Sequence, residues 1–203
     1  MSFESLGLHA LLQKTVDNLE YKQATPVQNQ AIPSILNGHD VVAGAQTGTG
    51  KTAAFVLPIL HRLLNADAES MGELNKVPDV PKIKALILTP TRELAQQVYK
   101  SCITYSKETK IRSVVAYGGA SINTQIAELK EGADILVATP GRLLELTFKK
   151  LVDLREVSVL VFDEADRMLD MGFMAEVSRI LKRLPEKKQT LLFSATFNDE
   201  VYA

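Results

Sequence analysis

Two stretches of this chain carry residue types that together could handle a nucleoside polyphosphate. The first, AGAQTGTGKT at residues 43–52, puts glycines, a lysine and threonines into ten positions. Backbone N–H groups of such a turn close around phosphate oxygens, and a helix N-terminus behind it adds partial positive charge. Gly48 and Gly50 can take conformations closed to other residues. Lys51 can reach the β- and γ-phosphates, and the Thr52 hydroxyl can ligate Mg²⁺. Ala45 stands where the phosphate-loop pattern begins with glycine. The candidate nucleotide-binding run is therefore Ala45, Gln46, Thr47, Gly48, Thr49, Gly50, Lys51 and Thr52. The second stretch is Asp163–Glu164–Ala165–Asp166. Asp163 suits Mg²⁺ held through water, because that ion keeps much of its hydration shell. Glu164 is then placed to orient and deprotonate an attacking water. Alone, the tetrapeptide also reads as a solvated acidic turn capping a helix; paired with the loop, it makes Lys51, Asp163 and Glu164 the candidate catalytic residues.

These residues need a scaffold that brings them to one edge. Apolar Val41 and Val42 precede the loop and a helix-forming run, 53–64, follows it, which predicts a first strand over 40–44. Five more short apolar runs, 85–89, 113–117, 135–139, 157–162 and 190–193, alternate with helical patterns near 93–104, 122–131, 141–148 and 173–184. Strands this apolar, alternating with helices, predict an α/β protein with a mostly parallel sheet covered on both faces. Ligands of such sheets gather at the carboxyl ends of the strands. Upstream, apolar residues recur at helical spacing over 8–19. A second helix has strong start signals, with Thr25 as N-cap, Pro26 at the first helical position and Gln28 in the capping-box place. The polar stretch 65–82 is predicted to be a surface loop. Met168, Leu169 and Phe173 read as packing, Cys102 as a small core residue, and His9, His39 and His61 have no metal-ligand spacing.

A chain of 203 residues with 46% apolar content can bury a sizeable core. Its formal net charge of −1 argues against bulk electrostatic capture of nucleic acid and leaves such binding to a local patch. One cysteine excludes an internal disulfide. No run approaches a membrane span, and the N-terminal twelve residues lack a basic leader region, so a soluble, cytoplasmic protein is expected.

With these motifs in place, nearly the whole chain resembles the N-terminal RecA-like lobe of a DEAD-box ATP-dependent RNA helicase, with the general look of bacterial RhlE-like members. The resemblance implies a RecA-like P-loop NTPase fold. It divides the chain into a Q-motif region and N-terminal helix, 1–29, and a helicase ATP-binding domain, 30–203. ATPVQ at 24–28, with Tyr21 and Phe3 ahead of it, resembles the family's Q motif, which implies that Gln28 reads adenine and that Tyr21 and Thr25 help hold the nucleotide. Glu20 replaces the family's usual glycine there and Ala24 its first proline. Read without the family, Gln28 equally completes a capping box with Thr25. Pro90, Thr91 and Arg92 in PTRELA, the pair Gly118 and Gly119, and Thr139, Pro140, Gly141 and Arg142 in TPGR each follow a predicted strand and open a helix. They resemble the motifs that grip single-stranded RNA by its sugar–phosphate backbone, without reading sequence. Plain helix capping by Thr91, Ser121 and Thr139 is the other reading. Ser194–Ala195–Thr196 resembles the motif whose hydroxyls bond Asp166 and couple hydrolysis to lobe movement.

The implied cofactors are ATP or ADP with Mg²⁺, and the implied partners are RNA and a second RecA-like lobe. That lobe and its arginine fingers are not encoded in these residues. An arginine finger accelerates phosphoryl transfer by about 10³–10⁵, so a fragment that binds adenine nucleotide and hydrolyses it poorly is expected. Two other readings stay open on the residues alone: a lobe of a DNA helicase or translocase, and a nucleotide-dependent interaction module.

Overall fold

The structure is a computed structural model and describes residues 2–46, 48–69 and 80–196. Six parallel strands, β1 (Val41–Gly44), β2 (Ala85–Leu88), β3 (Ser113–Ala116), β4 (Ile135–Ala138), β5 (Val159–Asp163) and β6 (Gln189–Ser194), lie in the order β1-β6-β5-β2-β4-β3. Alternate side chains enter two separate cores. Ala85, Ile87, Ile135, Val137, Val159, Val161, Leu191 and Phe193 face one; Leu86, Leu88, Val114, Ala116, Leu136, Ala138 and Leu160 face the other. Helices α1 (Ala10–Asn18), α2 (Pro26–Leu36), α3 (Lys51–Glu69) and α4 (Arg92–Tyr105) fill the first core. Helices α5 (Ile122–Lys130), α6 (Pro140–Phe148), α7 (Ala165–Asp170) and α8 (Met174–Leu181) close the second. Burial on both sides explains why β2, β4 and β5 read as continuous apolar runs, whereas edge strand β1 leaves Val42 exposed.

Most predicted elements are present with ends moved by a residue or two. Three departures have clear causes. The stretch 65–82 begins as helix, because α3 runs to Glu69. Residues 65–69, NADAE, contain neither glycine nor proline to stop it; the remainder of the stretch up to 79 lies outside the described residues. Strand β5 starts at Val159, not 157, and takes in Asp163, which pairs in register with Phe193 of β6. The third is the segment after the acidic tetrapeptide. It forms two short helices, α7 and α8, separated by a turn closed by Phe173 N–H donating to the Met168 carbonyl.

Helix α2 begins as its residue types require. The Thr25 hydroxyl accepts from the Gln28 N–H and the Gln28 side chain accepts from the Thr25 N–H, a complete capping box with Pro26 at the first position. Helix α1 ends in the paired turn hydrogen bonds of a Schellman motif, Tyr21 N–H to Val16 O and Glu20 N–H to Asp17 O. That motif needs a left-handed residue after the cap, and Glu20 supplies it at φ 61°. A glycine at this place carries no such cost. The turn delivers Tyr21 beside Phe3, ring centroids 6.0 Å apart.

Candidate nucleotide site

The carboxyl ends of β1, β6 and β5 meet at one edge. Gly44 is level with Ser194, and Phe193 with Asp163, so one strand separates the glycine-rich loop from the acidic tetrapeptide. Lys51, first residue of α3, spans that gap. Its Nζ lies 3.0 Å from Asp163 Oδ1 and 3.0 Å from Glu164 Oε1. It donates a hydrogen bond to Glu164, while Asp163 Oδ1 is held by charge alone, outside hydrogen-bond geometry. Asp163 is only 1% exposed. Burial pushes its carboxyl above the ordinary aspartate range; the charge of Lys51 opposes this and that of Glu164 adds to it. Burial also acts to raise Glu164, but hydrogen bonds and charge from Lys51 and Arg167 outweigh it and the carboxyl ends below its ordinary value. Two neighbouring carboxylates are thus driven apart in acidity, the more buried one towards protonation and the other towards ionisation.

Glu164 sits at φ 55°, ψ 55°, left-handed for a residue with a side chain. Such backbone costs about 1–3 kcal/mol and persists where the surroundings over-determine it. Here the Lys51 and Arg167 contacts, 3.0 Å and 3.1 Å, hold the side chain in place. Asp166 is tied to the last strand: its N–H donates to Ser194 Oγ at 3.2 Å and its Oδ2 accepts from Thr196 Oγ1 at 3.0 Å. Ser194 therefore meets the backbone of Asp166 and Thr196 its carboxylate. Burial alone raises the Asp166 carboxyl, yet hydrogen bonds from the Thr196 side chain, the Arg167 backbone and the Ser194 side chain bring it below the ordinary range.

The loop itself is shaped by contacts its sequence does not announce. Ala45 N–H donates to Ser194 O at 3.0 Å, and Ala45 is not among the described residues with positive φ, so the missing glycine costs no backbone strain. Thr49 Oγ1 donates to Gln46 O at 2.6 Å. Thr47 lies outside the described residues. Gln28 is 4% exposed and donates through Nε2 to Gly50 O at 3.1 Å, so one carboxamide closes the capping box and grips the glycine-rich loop. Adenine recognition and capping therefore compete for the same group.

A cavity of about 690 Å³ opens over these residues, lined by Phe3, Tyr21, Thr25, Gln28, Gly48, Gly50, Lys51, Thr52, Asp163 and Glu164. Its far wall, missed in the sequence, is α4: Leu94, Gln97, Val98, Ser101 and Tyr105. Tyr105 stands edge-on to Tyr21, centroids 6.4 Å apart. The only local hint was the helical spacing of α4. A second cleft of about 720 Å³ follows β1 and, among the described loop residues, touches Ala45, Gln46 and Thr49, away from Lys51 and both carboxylates. The donor set of Thr52 and Asp163 is hard oxygen, and the buried Oδ1 without a hydrogen bond fits a divalent cation of the Mg²⁺ kind. No group of three or more His, Cys, Asp or Glu able to hold a metal occurs among the described residues. A cation here would take its remaining ligands from water and phosphate.

The strand-end loops of β2, β3 and β4 line up along the same edge. Gly118, Gly119 and Gly141 are exposed, Thr91 and Thr139 half-buried and Pro90 and Pro140 buried. Thr91 caps α4, its hydroxyl accepting from Leu94 N–H at 3.3 Å, but neither Ser121 nor Thr139 caps its helix. Arg92 is exposed; Arg142 is turned inward, its side chain 10% exposed. Met168 and Cys102 are core, as the sequence implied, and burial pushes the Cys102 thiol up to about 12. His9 and His61, distant in sequence, meet: His9 N–H donates to His61 Nδ1 at 2.9 Å.

A glycine-rich loop and an acidic strand end, bridged by a lysine across a parallel sheet, define a RecA-like P-loop nucleotide-binding lobe. Residues 25–203 match the DEAD/DEAH box helicase family, and the chain belongs to it. It is similar to the ATP-dependent RNA helicase CshA of Limosilactobacillus reuteri, 46% identical over 201 residues covering 99% of this chain and 38% of that protein. It is 45% identical to the DEAD-box ATP-dependent RNA helicase CshA of Streptococcus pneumoniae serotype 4, over 99% of this chain and 36% of that protein. It is also 45% identical to DEAD-box ATP-dependent RNA helicase 52A of Oryza sativa subsp. japonica, over 98% and 34%. The chain thus spans little more than a third of the length of these curated relatives. No helix among the described residues is long and apolar enough to cross a membrane.

Proposed function

We propose that this chain is the ATP- and RNA-binding lobe of an ATP-dependent RNA helicase that remodels or unwinds RNA duplexes in the cytoplasm. In this reading residues 1–29 form the adenine-reading region and 30–203 the catalytic lobe. The observation that carries it is Lys51, equidistant at 3.0 Å from Asp163 and Glu164. Lys51 exchanges these carboxylates for the phosphate oxygens of an arriving nucleotide. Thr52 and Asp163 would hold Mg²⁺, which would supply charge neutralisation to the bound polyphosphate. Glu164, kept ionised and oriented by Arg167, accepts a proton from the attacking water. Tyr21 and Gln28 face the base, and Ser194 and Thr196 carry the state of Asp166 to the last strand. The exposed backbone of the Gly118–Gly119 turn, the uncapped starts of α5 and α6, and Arg92 suit an RNA sugar–phosphate strand.

Without a second lobe to supply an arginine, this chain is expected to bind ATP or ADP with Mg²⁺ and to turn ATP over slowly, with little stimulation by RNA. Calorimetry with ATP and GTP tests the base assignment. Tighter binding of ATP, weakened about tenfold by Gln28→Ala, supports it; equal affinities in the unaltered chain would remove the role given to Gln28. Brisk RNA-stimulated hydrolysis by these 203 residues would overturn the dependence on a second lobe.

A further inference from the structure

We infer that Arg142 is a positioning residue that locks two RNA-facing loops together and does not itself meet phosphate; this rests on the RNA reading above. All three nitrogens of its guanidinium are engaged: Nη1 donates to Gln125 Oε1 at 2.8 Å, Nη2 to Ala120 O at 3.2 Å, and Nε faces Glu145 Oε2 at 3.1 Å. Gln125, 7% exposed, passes the connection on by donating to Tyr117 O at 3.1 Å. The bonded carbonyls, Tyr117 O and Ala120 O, bracket the exposed Gly118–Gly119 turn. The turn leaves β3 and Arg142 opens α6 after β4, so the guanidinium staples together the loops of two paired strands.

Charge and exposure divide the two arginines. Arg142 is paired with Glu145 and its side chain is 10% exposed; two of its five N–H donors remain, but turning the guanidinium outward to a phosphate would break all three contacts and leave Gln125 Oε1 and Ala120 O without their donor. Arg92 is exposed, has no ion-pair partner among the described residues, and has its Nη1 3.7 Å from where a Cβ on Gly119 would stand. The positive charge offered to a strand crossing this edge therefore comes from Arg92. The distance between the Gly118–Gly119 turn and the α6 N-terminus is set by Arg142.

The test measures binding of a fluorescent uridine decamer to this chain across a salt series, with amide exchange followed in parallel. Arg142→Lys, Arg142→Gln and Gln125→Ala are expected to weaken binding by a similar factor, about tenfold, with the salt slope unchanged. Arg92→Gln is expected to lower the slope by about 0.7, the value for one single-strand phosphate contact. Exchange at Gly118, Gly119 and Ser121 should accelerate in the first three variants and not in Arg92→Gln. Near-normal affinity for Arg142→Lys together with a reduced slope for Arg142→Gln would overturn the inference, since a lysine can replace a phosphate contact but not the staple. No RNA binding by the unaltered chain at low salt would overturn it through the RNA reading, and accelerated exchange in Arg142→Gln would identify that as the failing part.

Discussion

Lys51 Nζ lies 3.0 Å from Oδ1 of the buried Asp163 carboxylate, an oxygen outside hydrogen-bond geometry that the lysine charge compensates. Removing one member of a buried charge group leaves the other uncompensated, at about 3–5 kcal/mol. Lys51→Ala should therefore lower stability by about 3 kcal/mol as well as abolish nucleotide binding. Because burial already raises the Asp163 carboxyl, a proton can replace the lost cation, and the deficit should be smaller at pH 5 than at pH 7. Urea unfolding at the two pH values checks this; an equal deficit at both contradicts it.

Asp163→Asn should separate stability from function. A carboxyl whose folded pKa is raised costs stability at pH above that value, and the cost fades as pH falls. Lys51 keeps Glu164 as its partner in the asparagine variant and is not left uncompensated, so that variant should be more stable than the unaltered chain at pH 7, by about 1 kcal/mol as is usual when a functional-site cost is relieved. The gain should shrink in acid, and Mg²⁺-dependent nucleotide affinity should be lost. A destabilised Asp163→Asn at pH 7 would show that the Lys51 contact outweighs burial.

Glu20 and Gly50 give opposite predictions about glycine. Glu20 occupies a left-handed place at φ 61°, so Glu20→Gly should stabilise the chain by about 0.5–1 kcal/mol, the strain relieved less the added freedom of the unfolded chain. Gly50 has φ 80° and a Cβ there would stand 2.5 Å from Gln28 Nε2. Gly50→Ala should cost about 2–3 kcal/mol and break the bond from Gln28 to the loop. Gly48→Ala, at φ 86° with nothing within 4 Å, should cost only the backbone strain, about 1–2 kcal/mol. Thermal unfolding of the three variants tests the order.

The N-terminal helix should loosen in acid. His61 Nδ1 accepts the His9 N–H and must be unprotonated to do so. Burial, with a smaller contribution from the charge of His9, lowers the His61 pKa below 6.5. A lowered folded pKa means that this stability is present above pH 6.5 and is lost as pH falls through the folded value. Amide exchange in α1 should quicken between pH 7 and pH 5, and His61→Gln should flatten that dependence. An α1 whose protection is the same across the range would contradict it.

What consecutive residues could specify, they did. The glycine-rich loop, the acidic tetrapeptide, the Thr25–Gln28 capping box and the six apolar strands were legible because each is a local pattern whose chemistry lies within a few positions. The end of α3 was not, since nothing in NADAE marks where a helix gives way to loop. The rest depended on contacts between distant residues. That Lys51 rests on Asp163 and Glu164 follows from β6 lying between β1 and β5, an order no single strand encodes. The α4 wall of the cavity, the grip of Gln28 on Gly50 and the inward turn of Arg142 onto Gln125 and Ala120 are likewise choices of the packed chain. A side chain's type limits which partners it can take, but only the fold brings one of them within 3 Å, and that selection decides whether a lysine, a glutamine or an arginine faces ligand or protein.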